Sequence, residues 1–348
     1  MLIAQMRVER HPARRWLLWL LLVAFVWLVV SRYAEIERLA LTFRQGRWQW
    51  VGIAVLLQVI FYLLHALLYQ NTFLIVGINR RLREMLSLVL VSLFVNVVAP
   101  TGGTAAIALF MDDASLRGLP PARAAAGTLL TLVVDFSAFS LLLAVGIAYL
   151  FRQADLRLYQ ITGAILFLLF ILLLSSVLLL GLWQPSLLQL VLTWCHRGVG
   201  CLAGWCKRPS PLAGDWPLKN ALEYTGAAQA IRQRPGRLLR AFVVSLASHL
   251  VNLACLYAIF LAFRWPLAFG PLTAGYAIGF VFWVVSPTPQ GIGVVEGVMA
   301  LVYTSLGVPG ASAVLAALTF RGLSFWLPLL IGFTLLQRVR SFGARSEA

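Results

Sequence analysis

Trp283-Val284-Val285-Ser286-Pro287-Thr288-Pro289-Gln290-Gly291-Ile292-Gly293 interrupts what would otherwise be one apolar run from Leu272 to Leu306. Neither flanking arm, Leu272 to Val285 or Val294 to Leu306, reaches the roughly 20 residues that a helix needs to cross hydrocarbon. The two prolines remove amide donors, and the glycines admit non-helical dihedrals. Backbone groups freed in this way cannot face lipid, where each unsatisfied one costs several kcal/mol. They must be buried in protein or line a wet cavity. The stretch is therefore expected to enter the membrane, turn, and leave on the side it came from.

A second stretch of the same kind lies upstream, Asn96-Val97-Val98-Ala99-Pro100-Thr101-Gly102-Gly103. Its arms, Leu86 to Val98 and Ala105 to Met111, are again short, and the second stops at Asp112-Asp113. Each broken segment runs on to a Gly-x-Pro turn, Gly118-Leu119-Pro120 or Gly307-Val308-Pro309, and then to an alanine-rich long span, about Ala122 to Leu150 or Ala311 to Leu336. Further long spans are expected at about Trp16 to Ser31, Trp48 to Tyr69, Leu158 to Leu182 and Leu238 to Phe263. The fold class that follows is an all-α polytopic membrane protein of about six full spans plus two re-entrant broken-helix hairpins, eight hydrophobic segments by hydropathy. Residues 1–348 form one transmembrane domain, with repeat 1 over about 48–150, repeat 2 over about 238–337 and a cytoplasmic or interfacial connector over about 184–237. Within that connector Leu187 to Cys206 is semi-apolar, with Trp194, Trp205 and Arg197 suited to the membrane surface.

Composition agrees with a membrane solvent. Hydrophobic residues make up 61% of the chain and charged residues only 11%, where a soluble domain has about 25% charged. The formal net charge is +16, from 28 basic residues of which only Lys207 and Lys219 are lysines. No soluble basic domain accompanies that charge, so nucleic acid is excluded as a partner. With a cytoplasmic N-terminus and two hairpins, 20 basic residues fall on the cytoplasmic side. Only seven fall outside: Arg32, Arg38, Arg44, Arg47, Arg152, Arg157 and Arg264. That asymmetry follows the positive-inside rule. Eight full crossings would move the basic connector outside and spoil it. Under the hairpin topology the first broken segment opens to the cytoplasm and the second to the outside, an inverted repeat in which broken segments mark a site near mid-membrane.

The helix N-termini just after the breaks, near Gly103 and Gly293, are expected to offer free amides and a positive dipole end to an anion. A headgroup site is thus read at Pro100, Gly102, Gly103, Pro289, Gly291 and Gly293, with Glu296 just beyond the second break and Arg321 in the last span. Asp135, Asn96 and His249 are the other intramembrane polar residues singled out, with His65 and Asn252 behind them. A lone charge at the bilayer centre costs at least about 2.5 kcal/mol, so Arg321 is expected to pair with Asp135 or with Glu296. Asp112-Asp113 reads as a solvated hairpin end. Cys195, Cys201, Cys206 and Cys255, even with His196 nearby, fit no metal-ligand spacing. No metal or cofactor is expected, and no nucleotide-binding loop or nucleophile triad marks an enzyme.

Pro289-Gln290-Gly291-Ile292-Gly293-Val294-Val295-Glu296, followed by Leu306-Gly307-Val308-Pro309 and the span bearing Arg321, resembles the lysylphosphatidylglycerol synthase transmembrane-region family. These are flippase-like proteins related to the membrane half of the bacterial multiple peptide resistance factor. The likeness covers about residues 10 to 340, and Pro100-Thr101-Gly102-Gly103 matches the family's upstream motif. Two departures are visible there. Thr104-Ala105-Ala106 stands where many relatives carry an acidic or polar residue, and Asp135 lacks the acidic-arginine pair often found just before it. The carry-over therefore rests on Gly291, Gly293, Glu296 and Arg321. The resemblance implies a multi-pass protein of the bacterial inner membrane, both termini cytoplasmic, that moves a phospholipid or polyprenyl-linked lipid between leaflets. No soluble aminoacyltransferase domain follows the last span, so lysyl-lipid synthesis is not expected of this chain. The alternatives are a membrane-embedded transferase on a lipid-linked substrate, with Glu296 or Asp135 as base, and an accessory subunit partnering a lipid-modifying enzyme.

Overall fold

The computed structural model describes residues 47–98, 104–183, a few positions between 186 and 194, 216–286 and 288–335. The expected first span, the tip of the first break with Pro100, Gly102 and Gly103, most of Leu187 to Cys206 with Cys195 and Cys201, and Cys206 itself lie outside the described residues.

Every described element is helical. In chain order they are α1 (Trp48–Ile75), α2 (Leu82–Val98), α3 (Thr104–Ser115), α4 (Pro121–Arg152), α5 (Leu158–Trp183), α6 (Trp216–Gln233), α7 (Pro235–Ala262), α8 (Phe269–Val285), α9 (Val294–Ser305), α10 (Gly310–Arg321) and α11 (Leu327–Leu335). A 3₁₀ turn at Pro289–Gly291 precedes α9, and a π turn at Gly322–Trp326 joins α10 to α11. Proline starts α4 and α7, where its missing N–H has no intrahelical role. Among the described residues, five stretches are long and apolar enough to cross a bilayer: α1, α4, α5 to Gly181, α7 and the joined α10–α11. With the short apolar helices between them, these make a polytopic α-helical membrane protein. The observed spans run a few residues beyond the apolar runs, as with α1, which continues past Tyr69 to Ile75.

Both broken segments are hairpins. At the mouth of the first, the start of α2 meets the end of α3: Arg117 Nη1 donates to Glu84 Oε2 at 3.0 Å, and Arg80 pairs with Asp113. At the mouth of the second, Tyr303 Oη donates to the Leu272 carbonyl at 3.1 Å. Small residues let α8 and α9 close on each other. A Cβ at Gly275 would lie 2.2 Å from Tyr303 Cζ, and one at Gly279 would lie 2.5 Å from Met299 Cγ.

The two mouths open on opposite faces. The first lies with the end of α1, where Gln70 Nε2 donates to the Arg80 carbonyl at 2.7 Å and Arg234 Nη1 reaches the Leu74 carbonyl at 2.8 Å. The second lies with the start of α1, where the Arg47 amide donates to the Ala262 carbonyl at 3.2 Å and Gly270 backs on Tyr149 near the end of α4. Each hairpin also packs on a long span from the other half of the chain, α8 on α4 and α2 on α11, while α1 packs along α7. A glycine admits each of these crossings. A Cβ at Gly146 would sit 3.0 Å from Ala277 Cβ, and one at Gly332 would sit 2.3 Å from the Leu90 carbonyl oxygen. Close backbone approach through small residues is how helices associate in lipid.

The connector is more than a loop. α6 buries Ala221, Tyr224, Ala227 and Ile231 in the core, and Arg123 Nε from α4 donates to Glu223 at 2.6 Å. α5 stands at the periphery, with Leu172 and Leu173 largely exposed on its outer face.

Candidate functional site

The second break is a sequence of left-handed backbone positions. Gln290 has φ 54°, Gly291 φ 67° and Gly293 φ 83°. Glycine adopts such dihedrals freely, but glutamine does so only under constraint. The constraint is visible: Trp283 Nε1 donates to Gln290 Oε1 at 2.7 Å, and Arg321 Nη2 donates to the Gln290 carbonyl at 2.8 Å. Arg321 Nε also donates to Glu296 Oε1 at 2.9 Å, while Glu296 Oε2 accepts the Gly293 amide at 2.7 Å. The guanidinium stacks over Phe325, 4.8 Å from the ring centroid. One arginine from α10 and one glutamate from α9 therefore hold the break in shape. The expectation of free amides near Gly293 needs correcting for the Gly293 amide itself, which the Glu296 carboxylate caps.

Directly after Arg321 the helix loosens into the π turn. Such a turn leaves carbonyls without their usual i+4 partner, and the Ser324 carbonyl accepts Tyr62 Oη from α1 at 2.6 Å.

Beside this break lies a cavity of about 120 Å³. Its wall takes Val97 from the first hairpin, Trp283 and Gln290 from the second, Arg321 from α10, and Asp135, His249 and Asn252 from the long spans. At roughly 30 Å³ per liquid water, it holds about four waters or a small polar group.

Asp135 does not meet Arg321. It accepts Ser245 Oγ at 2.7 Å and faces His249 Nε2 at 3.3 Å, the latter without hydrogen-bond alignment. His249 Nδ1 shares a hydrogen bond with Tyr276 Oη at 3.1 Å, and Asn252 Nδ2 donates to the same hydroxyl at 3.4 Å. Asn252 Oδ1 and His65 Nδ1 are buried with no partner.

The expected residues thus divide into groups. Gly291, Gly293, Glu296 and Arg321 form one constellation with Pro289 in its turn, and of the two pairings open to Arg321 the one with Glu296 is observed. Asp135 and His249 form a second constellation on the same cavity. Asn96 closes the first break, its Oδ1 accepting the Ala106 amide at 3.2 Å. The solvated end expected at Asp112-Asp113 is corrected for Asp113. Only 1% of that residue is exposed, and it is held by Arg80 and Arg117, because α3 turns it inward against the arginines of the hairpin mouth. Gln290, Ser245 and Tyr276 were not singled out from sequence. For Ser245 a signal exists, since Ser245, His249 and Asn252 recur at i, i+4 and i+7 and so share one helix face.

A sequence model of the lysylphosphatidylglycerol synthase TM region matches residues 16–332. A UPF0104 membrane protein of Methanocaldococcus jannaschii is 22% identical over 326 residues, covering 90% of this chain and 92% of that protein. A UPF0104 membrane protein of Methanothermobacter thermautotrophicus is 33% identical over 91 residues, 26% of this chain and 27% of that one.

Proposed function

The chain belongs to the lysylphosphatidylglycerol synthase TM-region family, and on that premise we propose that it moves a phospholipid or a polyprenyl-linked lipid between leaflets. One observation carries the proposal: two opposed broken hairpins both contribute to a cavity whose mostly apolar wall carries a few polar groups, an arginine among them. Arg321 uses Nε and Nη2 on Glu296 and Gln290, and Nη1 is its remaining group for a headgroup phosphate, the anion that a guanidinium suits best. The headgroup rests there while the tails stay in the bilayer. On the same proposal the protein sits in the bacterial inner membrane with both termini cytoplasmic; in support, the mouth carrying Arg117 and the connector helix α6 both meet the region around the start of α4, which gathers basic residues on one face.

The test is reconstitution of the purified protein into liposomes carrying a panel of labelled lipids, among them phosphatidylglycerol, phosphatidylethanolamine and a short polyprenyl phosphate. Exchange between leaflets with no change in lipid mass is the expected result. A change in mass would instead favour a transferase. Both Glu296 oxygens are engaged, which leaves Asp135, oriented by Ser245 and His249, as the base for such a reaction. Neither exchange nor mass change would leave an accessory role beside a lipid-modifying enzyme.

A further inference from the structure

Asp135, His249 and Tyr276 form a chain across three helices, and its partners are incomplete. Asp135 is 6% exposed and His249 2%. The bonds of Arg321 go to Glu296 and Gln290, so His249 is the group in contact with Asp135 that can carry a positive charge. His65, Tyr62 and Tyr69 line the α1 side, and Tyr303 on α9 lies beyond Tyr276. None of these carries a fixed cation to the carboxylate.

We propose that this chain is a proton site that couples headgroup movement to a proton gradient, an inference that rests on the translocation reading above. Two hydrogen-bond states satisfy the geometry and differ by one proton. In the first, neutral His249 keeps its hydrogen on Nε2, facing the Asp135 carboxylate. Nδ1 then accepts the Tyr276 hydroxyl, Tyr276 Oη accepts Asn252 Nδ2, and Asn252 Oδ1 is left unpaired, as observed. In the second, a proton has added to Nδ1. That N–H now donates to Tyr276 Oη, and the hydroxyl turns to donate to Asn252 Oδ1 after a half-turn of the amide. No covalent bond between heavy atoms changes, and the amide exchanges which of its two ends meets Tyr276.

The added proton changes the Asp135–His249 pair from one negative charge to none. In the first state a carboxylate faces the cavity that Arg321 also lines, and it repels an anionic headgroup. In the second that repulsion is gone, and Arg321 Nη1, the group not used on Glu296 or Gln290, meets the phosphate. Proton and phosphate headgroup thus enter together. The rearranged bonds also join the long spans α4 and α7 to Tyr276 on α8, the arm of the second hairpin, so the proton registers where the hairpin meets its scaffold.

The experiment uses liposomes of phosphatidylethanolamine and phosphatidylglycerol containing fluorescently labelled phosphatidylglycerol, with and without a pH difference across the bilayer. For one proton per lipid, a difference of one pH unit biases the leaflet ratio by up to about tenfold. Asp135→Asn and His249→Gln are expected to lose that bias, whatever rate remains. A wild-type leaflet ratio indifferent to the gradient would overturn the coupling and leave translocation standing. If wild type moves no label at all, translocation of this lipid fails. The proton site is then judged on the purified protein by infrared titration between about pH 5 and 9: His249 ring bands that shift in wild type and vanish in His249→Gln uphold it, and a flat titration overturns it. Should the first variants fail to insert, Tyr276→Phe keeps the ring against Phe139 and Phe320 and removes only the hydroxyl. It too is expected to abolish the bias, and a bias equal to wild type in Tyr276→Phe would overturn the relay.

Discussion

The two hairpins solve one backbone problem with opposite distributions of charge. The first is charged at its mouth, where Arg80, Glu84, Asp113 and Arg117 interlock, and neutral at its break, where Asn96 holds the Ala106 amide. The second is neutral at its mouth, where Tyr303 meets the Leu272 carbonyl, and charged at its break, where Glu296 and Arg321 hold Gly293 and Gln290. A cap needs only an acceptor, and an amide suffices. Charge at a break is therefore more than the fold requires. A partly buried ion pair seldom repays its desolvation against a well-packed neutral substitute. On the translocation proposal, its presence at one break assigns the ionic headgroup to that hairpin.

The largest expected effect tests that claim. Arg321→Ala strands the Glu296 carboxylate, and loss of one partner of a buried pair costs about 3–5 kcal/mol. Glu296→Gln keeps a cap acceptor but leaves the arginine unbalanced. Both single variants should lose lipid movement in liposomes and melt earlier than wild type. The double variant Glu296→Gln/Arg321→Gln strands no charge and should melt closer to wild type than either single variant, yet still move no lipid. Recovery of transport in the double variant would reduce the pair to a helix lock and erase the contrast between the hairpins.

Much of this arrangement is legible in the chain. Runs too short to cross, punctuated by Pro100 and Pro287, require re-entry on hydrogen-bonding grounds alone, and the basic residues orient the mouths. Glu296 three residues after Gly293 is the spacing of a cap, so its engagement of that amide follows from the same rule that made the amide seem free. Other features depend on contacts between distant segments. Nothing local places Gln290 in a left-handed conformation, because Trp283 and Arg321 impose it from two other helices. Asp135 and Arg321 occupy comparable places in the two halves, which invites pairing them. Serine and histidine on α7 claim Asp135 instead, since α7 packs against α4. The burial of Asp113 likewise depends on which way α3 rotates.

The first break offers a smaller effect of the opposite kind. Asn96→Ala removes one acceptor from an amide near the membrane interior and should cost about 1 kcal/mol, read as a shift in thermal unfolding in detergent, with lipid movement slowed but retained. Asn96→Asp sharpens the comparison. It gives the first break a carboxylate like that of Glu296 but no arginine in contact with it, and a stranded charge should destabilise more than the missing acceptor. Equal stability of the two variants would mean that water reaches the first break freely.

The smallest effect belongs to the first mouth. Glu84 is 39% exposed and bonds to both Arg80 and Arg117. Partial burial pushes its carboxyl up, but the Arg80 hydrogen bond and the charges of Arg117 and Arg80 outweigh this, and the net shift is below the ordinary value of 4.5. A carboxyl depressed on folding contributes stability that is present above its unfolded pKa and is lost as the pH falls through the folded one. Glu84→Gln should therefore cost less than about 1 kcal/mol at neutral pH, the usual worth of a water-screened pair, and nothing at a pH far enough below 4.5 that the lowered carboxyl is fully protonated. Melting curves of both proteins at the two pH values read the difference directly. A gap that persists in acid would mean that Glu84 supports the mouth by packing and not by charge, and lipid movement at neutral pH should be the same in both if the charge that matters for transport sits at the second break.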